Sequence, residues 1–381
     1  MGERFEGVVG PVAHGGHCVV RLEGTTDDPA DRPRVVFVRH AIPGERVVVE
    51  ITEGTDGDKF WRGDAVTVLA PAPERVEPPC PHARPGRCGG CDFQHVSLPH
   101  QRELKAAVVR EQLARLARVE SDVEVEPVPG DEEGLRWRTR IQWAAGPDGT
   151  RGLRKYRSHE VVPIDDCRIT RHDAREAGGP STVVTERVAV PGRGEHAFTV
   201  EGDGFWQVHP GAPQVLVETV LTMLEPRAGE VALDLYAGVG LFARFLADAV
   251  GPTGRVVAVE ADPSAAEHAR ANLAGLDGVT VEHGPVDRVL AGPVPGLERA
   301  DLVVLDPPRE GARAAVVEQV VARSPRAVAY VACDPAALAR DVATFAGLGY
   351  RLQALRAFDL FPMTHHVECV ALLEKAGSGA R

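Results

Sequence analysis

The chain has 381 residues, which is long enough to bury two or three separate cores. Hydrophobic residues make up 44% of it and charged residues 26%, as is typical of a folded soluble protein. No apolar run approaches the roughly 20 residues that cross a bilayer, and the N-terminus lacks the apolar core of a signal peptide. We therefore expect a cytoplasmic protein with reduced cysteines. The formal charge of −12 argues against a nucleic-acid partner unless a basic patch is present locally.

Residues 1–72 consist of short β-runs separated by turns that contain Gly, Pro and Asp. The runs read FEGVV, HCVVRL, RVVFV, ERVVVEI and DAVTVL. Several short strands with turn residues between them predict a small β-barrel.

Residues 73–91 are rich in Pro, Gly and Cys, so they cannot form a helix or an interior strand and must be organised by something else. Three cysteines follow the spacing C-x7-C-x2-C, and a fourth comes 76 residues later. These cysteines are Cys80, Cys88, Cys91 and Cys167. Four thiolates bind either Zn²⁺ or an iron–sulfur cluster, and the spacing alone does not separate the two.

Two further features follow in the central part of the chain. Apolar residues at helical spacing predict one amphipathic helix from Pro99 to Val119.

Residues 135–157 hold seven Arg or Lys residues against one acid, with Trp and Tyr residues among them. Arg136, Arg138 and Arg140 would share one face of a strand, which the turn 146–149 would continue into a hairpin. This basic hairpin predicts an RNA-contacting surface.

Beyond about residue 210, strand-like runs alternate with helical stretches, which predicts a doubly wound α/β sheet. The strand-like runs are VALDLY, RVVAVEA, VTVEHG, ADLVVLD, AVAYVAC and CVALLE. The first run leads into the glycine turn Asp234-Leu235-Tyr236-Ala237-Gly238-Val239-Gly240, and the second ends at Glu260. Such glycines let the backbone pass close to a ligand, and an acid at the tip of the second strand can accept hydrogen bonds from a ribose.

Three more motifs end or begin strands of this sheet. Asp306-Pro307-Pro308 is a stiff loop, Cys333 closes the strand AVAYVA, and Glu368 begins the strand CVALLE. A lone Cys after an apolar strand is commonly a buried small side chain, and a lone Glu is commonly solvated. At a ligand crevice, however, the thiolate of Cys333 would be a nucleophile and Glu368 an acid–base group.

The order and spacing of DLYAGVG, DPPREG, ACDP and FPMTHHVE resemble those of the RNA uridine-5-methyltransferases of bacteria and archaea. The resemblance implies that Cys333 adds to carbon 6 of uracil, which activates carbon 5 toward the methyl sulfonium, and that Glu368 then removes the carbon 5 proton. It also implies S-adenosylmethionine as the methyl donor. The residues that would line the donor and uracil pockets are Gln207, Tyr236, Gly238, Glu260 and Asp306. Three positions depart from the family pattern, namely His209, Leu241 and Pro285.

The same resemblance extends over almost the whole chain. It identifies residues 1–72 as a TRAM barrel of OB type and the four cysteines as ligands of an iron–sulfur cluster of the 4Fe-4S type. The expected fold is α/β, with this barrel, a small α+β cluster-bearing domain at 73–205 and a Rossmann-like methyltransferase domain at 206–381. The expected partner is ribosomal or transfer RNA, with no membrane, and the chain is expected to be a monomer. The alternatives are an inactive RNA-binding protein on this fold and an amino-group methyltransferase that uses Asp306-Pro307-Pro308.

Overall fold

The N-terminal strands close into a five-stranded barrel. A computed structural model of the protein describes residues 2–22, 34–55, 57–178, 182–292 and 298–377. Alternate valines fill the barrel, and Val36 and Val38 are fully buried. The barrel has the strand order β1-β2-β3-β5-β4, which confirms the predicted OB-like barrel. Its strands are β1 Arg4–Ala13, β2 His17–Leu22, β3 Arg34–Arg39, β4 Arg46–Glu53 and β5 Phe60–Ala70.

One long helix connects the barrel to the rest of the chain. Helix α1 spans Leu98–Gln112 and continues as a π-helical turn over Leu113–Ala117, close to the predicted bounds. Leu104 and Val108 pack into the barrel core, whereas Val109 and Leu113 pack into the core of the C-terminal sheet. The helix therefore fixes the barrel against the C-terminal half of the molecule.

Small sheets make up the centre of the chain. β8 and β9 form a hairpin that β10 extends, β7 pairs in parallel with β11, and β12 pairs with β13. The predicted hairpin through residues 146–149 is therefore formed by β8 and β9, whereas the arginine-bearing strand β7 belongs to a different sheet. The strands are β6 Val125–Pro127, β7 Arg138–Ile141, β8 Ala144–Ala145, β9 Arg151–Arg154, β10 Val161–Pro163, β11 Thr170–Glu176, β12 Val183–Val190 and β13 Gly194–Glu201.

The C-terminal half is a Rossmann-like α/β unit, as predicted. Its eight-stranded sheet has the order β16-β15-β14-β17-β18-β20-β19-β6, in which the first five strands are parallel. The strands are β14 Val231–Leu235, β15 Arg255–Glu260, β16 Val279–His283, β17 Leu302–Leu305, β18 Ala327–Ala332, β19 Tyr350–Asp359 and β20 Glu368–Lys375. The helices are α2 Ala212–Leu224, α3 Leu241–Val250, α4 Pro263–Asn272, α5 Val286–Ala291, α6 Arg313–Ala322 and α7 Pro335–Gly347.

The edge of this sheet differs from a simple doubly wound arrangement. β20 runs antiparallel to β18, and β19 runs antiparallel to β20. β6 comes from the middle of the chain and adds the last strand, beside β19. The antiparallel placement of β20 brings its first residue to the carboxyl end of β18, where a catalytic site can form.

Two apolar clusters cover the two faces of the sheet and leave the carboxyl ends of its parallel strands open. The strand order reverses between β14 and β17, because β15 lies on the other side of β14. Ligand crevices of open α/β sheets lie at such a reversal. Over the stretches that the structure describes, no helix is long and apolar enough to cross a bilayer.

Candidate active site

A cleft of about 1330 Å³ lies at the carboxyl ends of β14, β15, β17 and β18. It brings together every residue that the sequence predicts for the catalytic and donor sites, from widely separated parts of the chain. These residues are Gln207, Tyr236, Gly238, Glu260, Asp306, Cys333 and Glu368.

The glycine turn after β14 forms one end of the cleft. Tyr236 and Gly238 have positive φ angles of 65° and 55°, so the chain turns sharply and Gly238 faces open space. The Gly238 amide donates to Glu260 Oε2 at 2.8 Å, and the Asp262 amide donates to Glu260 Oε1 at 2.7 Å. The Glu260 carboxylate is thereby held at the tip of β15, facing the turn.

Asp234, beneath the glycine turn, is fully buried. Its Oδ2 accepts the Ala243 amide at 2.8 Å, and its Oδ1 has no partner among the described residues. Burial raises the pKa of Asp234 to about 7. This carboxyl supports the turn from below rather than lining the cleft.

Cys333 and Glu368 form the opposite end of the cleft. Ala332 pairs with Cys369 across β18 and β20, so Cys333 and Glu368 occupy the next position along the two antiparallel strands. Glu368 is only 4% exposed. The side chains therefore meet because of strand register, although 34 residues separate them in sequence.

The electrostatics of this pair favour protonated groups in the free protein. Burial raises the pKa of the Cys333 thiol to about 12, the Glu368 carboxyl adds to the rise, and the Arg309 guanidinium opposes it. Burial likewise raises the pKa of Glu368 well above its usual range, and Asp306 raises it further. Burial also raises the pKa of Asp306 to about 7.

Sequence patterns did not assign a role to Arg309 or His366, yet both line the cleft beside Cys333. Arg309 Nη2 lies 3.3 Å from His366 Nε2. The two residues occur in the quoted motifs DPPREG and FPMTHHVE, but only the fold places them together.

Contacts from the N-terminal half hold the two loops that carry Cys333 and Glu368. His14 of the barrel lies 2.9 Å from Asp334 Oδ2, directly after Cys333. Asp92 Oδ2 lies 2.6 Å from His365 Nδ1, and the Asp92 side chain is 10% exposed. The Asp92 amide also donates to the Met363 carbonyl at 3.0 Å. The barrel and the cysteine-rich loop thus fix the geometry of the cleft.

The four clustered cysteines line one cavity of about 380 Å³. The Gly90 amide donates to Cys88 Sγ at 3.4 Å, and Gln94 Nε2 donates to Cys91 Sγ at 3.2 Å. Burial raises the pKa of Cys91 well above its usual range, and two of the other cysteines add to the rise. Among the residues with described positions, no three ligand side chains converge on the position of a single metal ion.

Some arginines of the predicted basic hairpin form hydrogen bonds to other groups of the protein. Arg136 donates to Asp166 at 2.6 Å and to the carbonyls of Cys167 and Thr170. Arg140 donates to the Asp203 and Gly204 carbonyls. The three alternating arginines therefore do not form one free RNA-facing row, and the exposed basic residues of this region lie on and after β9, at Arg151, Arg154 and Arg157.

Of the three positions that depart from the family pattern, only two line the cleft. Leu241 and Pro285 do so, whereas His209 is fully buried and stacks on Trp137 with ring centroids 6.1 Å apart. His209 Nδ1 accepts the Gly211 amide at 3.1 Å, and burial lowers the pKa of His209 to about 4. His209 therefore supports the Gln207 segment from inside.

Solved structures with this fold include the tRNA (uracil-54, C5)-methyltransferase of Pyrococcus abyssi in complex with S-adenosyl-L-homocysteine. The match covers 97% of this chain and 100% of that chain, with a TM-score of 0.69 and 23% sequence identity. It shows that the whole succession of barrel, centre and α/β unit is shared.

Sequence relatives extend over the whole chain as well. A family model described as tRNA (uracil-5-)-methyltransferase matches residues 298–376. An RNA methyltransferase of Streptomyces avermitilis is 45% identical over 100% of both chains. The 23S rRNA (uracil(1939)-C(5))-methyltransferase RlmD of Shewanella sp. strain ANA-3 is 30% identical over 90% of this chain and 91% of its own length. The chain therefore belongs to the RNA uridine-5-methyltransferase family and is an enzyme.

Proposed function

We propose that the chain transfers a methyl group from S-adenosylmethionine to carbon 5 of a uridine in RNA, through a covalent bond between Cys333 and carbon 6. The observation that carries this proposal is the meeting of Cys333 and Glu368 at one end of a cleft whose other end is the glycine turn with Glu260. A nucleophile, a base and a nucleoside-binding turn are the three parts that this reaction needs.

The residues at the glycine turn fit the methyl donor. Gly238 leaves open space above the turn, and the Glu260 carboxylate is placed to accept hydrogen bonds from ribose hydroxyls. Gln207 and Tyr236 line the same cleft as Cys333. When bound, S-adenosylmethionine supplies an electrophilic methyl group.

The chain's own residues account for the remaining steps. The Cys333 thiol releases its proton to solvent water, and the thiolate forms a bond to carbon 6 while the carbon 5–carbon 6 π electrons move toward the carbon 4 oxygen. Asp306, whose pKa burial raises to about 7, can donate a proton to that oxygen and take it back when the carbon 4 carbonyl forms again as carbon 5 attacks the methyl group. The Glu368 carboxyl, which burial keeps protonated in the free protein, must release its own proton to solvent before this stage. After carbon 5 has been methylated, the Glu368 carboxylate accepts the carbon 5 proton. The C–H electrons restore the double bond, and the Cys333 thiolate leaves.

The two alternatives use fewer of these residues. An inactive RNA-binding protein would need neither Cys333 nor Glu368, and an amino-group methyltransferase would use Asp306-Pro307-Pro308 without Cys333. The presence of both side chains in one cleft therefore favours methylation at carbon 5.

Nucleoside mass spectrometry on cells with and without this protein tests the proposal and identifies the RNA. The 23S rRNA is the first RNA to map because the Shewanella relative is named for it, and transfer RNA is the second. We expect one 5-methyluridine to disappear when the protein is absent. Loss of an N-methylated base instead, or no change in any methylated base, would contradict the proposal.

We also propose that Cys80, Cys88, Cys91 and Cys167 hold a 4Fe-4S cluster. The cavity that they line suits a cluster, and N–H groups donate to two of their sulfurs. Such donors stabilise the negative charge on the sulfide and thiolate sulfurs of a cluster. A tetrahedral zinc site would instead bring all four sulfurs within about 2.3 Å of one point. Anaerobically purified protein should be brown and contain about four irons and equal sulfide per chain. One zinc with neither iron nor sulfide would refute the cluster.

A further inference from the structure

A second, smaller cavity of about 190 Å³ adjoins the cleft at Cys333. Among the described residues, only Arg309, Cys333 and His366 line both spaces, so these three side chains form the boundary between them. The other walls come from the turn between β1 and β2, from α1 and from the loops that carry Cys333 and Glu368. None of the steps proposed above uses this cavity.

The lining of the small cavity is mostly apolar at the bottom and polar at the rim. Phe93, Leu104 and Val108 are buried and form its floor together with Lys105, whose ammonium group is paired with Asp359. His14 and Arg309 are exposed at its rim. Imidazole and guanidinium planes above an apolar floor suit a flat aromatic ligand that also carries polar edges.

Contacts between distant parts of the chain build these walls. The His14–Asp334 and Asp92–His365 pairs, at 2.9 and 2.6 Å, connect the turn and the cysteine-rich loop to the two catalytic loops. A Cβ atom on Gly16 would lie 2.5 Å from His365 Cβ, so only glycine allows this approach. The cavity is thus formed where the barrel is fixed against the catalytic unit.

We propose that this cavity binds the base of the nucleotide that neighbours the target uridine in the RNA. The inference rests on the proposed function, in which the target uracil occupies the large cleft beside Cys333. A neighbouring base is one phosphodiester step away, and the small cavity begins at Cys333. Its volume lies below the roughly 300–1,000 Å³ of pockets that take whole drug-sized ligands, so it suits one base with its sugar and phosphate outside, near Arg309.

The test uses a short synthetic RNA centred on the uridine that nucleoside mapping identifies. Two further RNAs carry an abasic residue directly 5′ or directly 3′ of that uridine, which itself is unchanged. Because stacking of one base is worth about 1–3 kcal/mol, one of the two abasic RNAs should bind the unchanged enzyme about tenfold more weakly than intact RNA. Its kcat/KM should fall to a similar extent.

Val108→Phe fills the floor of the cavity, and Ala107→Phe adds the same ring at an exposed position of α1 as the matched control. Val108→Phe should lose about tenfold in affinity for intact RNA and lose nothing further on the sensitive abasic RNA. Ala107→Phe should behave like the unchanged enzyme.

Equal affinity of the unchanged enzyme for all three RNAs would overturn the proposal. So would an equal loss of affinity by a folded Val108→Phe variant on intact RNA and on the sensitive abasic RNA, since filling the cavity would then not act through the neighbouring base. If binding discriminates among the RNAs but no RNA is methylated, the proposed function fails while the base-binding cavity stands.

Discussion

Replacing Lys105 with Met tests how α1 is fixed to the catalytic sheet. Lys105 Nζ donates to Asp359 Oδ1 at 2.6 Å and to the Phe361 carbonyl at 3.0 Å. The two charged side chains are 0% and 2% exposed. Lys105→Met would leave the Asp359 carboxylate buried without its cation, and breaking such a pair lowers the free energy of unfolding by about 3–5 kcal/mol. Domains are stable by about 5–15 kcal/mol in total, so this loss is large.

Thermal unfolding followed by circular dichroism measures the effect. At about 2–4 °C per kcal/mol, the midpoint should fall by roughly 6–20 °C. The double variant Lys105→Met with Asp359→Leu removes both charges and should recover most of that loss, because apolar pairs often replace buried ion pairs without penalty. If the unfolding midpoint of the single variant Lys105→Met lies within about 1 °C of that of the unchanged protein, this reasoning is refuted.

Three further predictions concern RNA, pH and the methyl donor. Arg154→Ala should weaken RNA binding and lower the slope of log binding constant against log salt concentration by about one, whereas Arg136→Ala should leave this slope unchanged. Equal slopes for the two variants would show that the RNA binds elsewhere. Because burial raises the pKa of Cys333 in the free protein to about 12, alkylation of its thiol by iodoacetamide, followed by peptide mass spectrometry, should accelerate from about pH 6 to about pH 9, and a plateau below neutral pH would contradict this pKa. Glu260→Ala should weaken S-adenosylmethionine binding, measured by calorimetry, at least about tenfold while RNA binding is unchanged. Unchanged affinity for the methyl donor would show that Glu260 does not contact it.

The sequence predicts those parts of the fold that depend on local patterns. Alternating valines identify the barrel strands, and apolar runs that end in motif residues identify β14, β15, β17 and β18. Since parallel strands present their carboxyl ends at one edge, the sequence also predicts that Asp306 and Cys333 share a cleft, and the structure brings them there.

Other features depend on contacts between distant residues and have no local signal. Strand β6 is three residues long and pairs with β19 through Val125 and Ala357. A segment this short has too weak a β-propensity to be recognised as a strand from the sequence. β7 pairs with β11 rather than continuing into the hairpin, and its side chains Arg138 and Arg140 donate to carbonyls of the protein itself. The His14–Asp334 contact spans 320 residues, and no spacing rule predicts it.

Capture of a covalent enzyme–RNA complex tests the central claim most directly, because Cys333 and Glu368 act at different steps. Glu368→Gln should add its thiol and transfer the methyl group but retain the carbon 5 proton, so a methylated uridine should remain bonded to Cys333 through denaturing electrophoresis. Nuclease digestion and mass spectrometry should then identify the peptide–nucleotide.

Cys333→Ala should give neither this adduct nor methylation, whereas Cys369→Ala, which changes a buried neighbouring thiol, should keep both. Turnover by Cys333→Ala would contradict the covalent mechanism. An inactive Glu368→Gln without adduct under single-turnover conditions would show that Glu368 acts before methyl transfer and would contradict its role as the eliminating base.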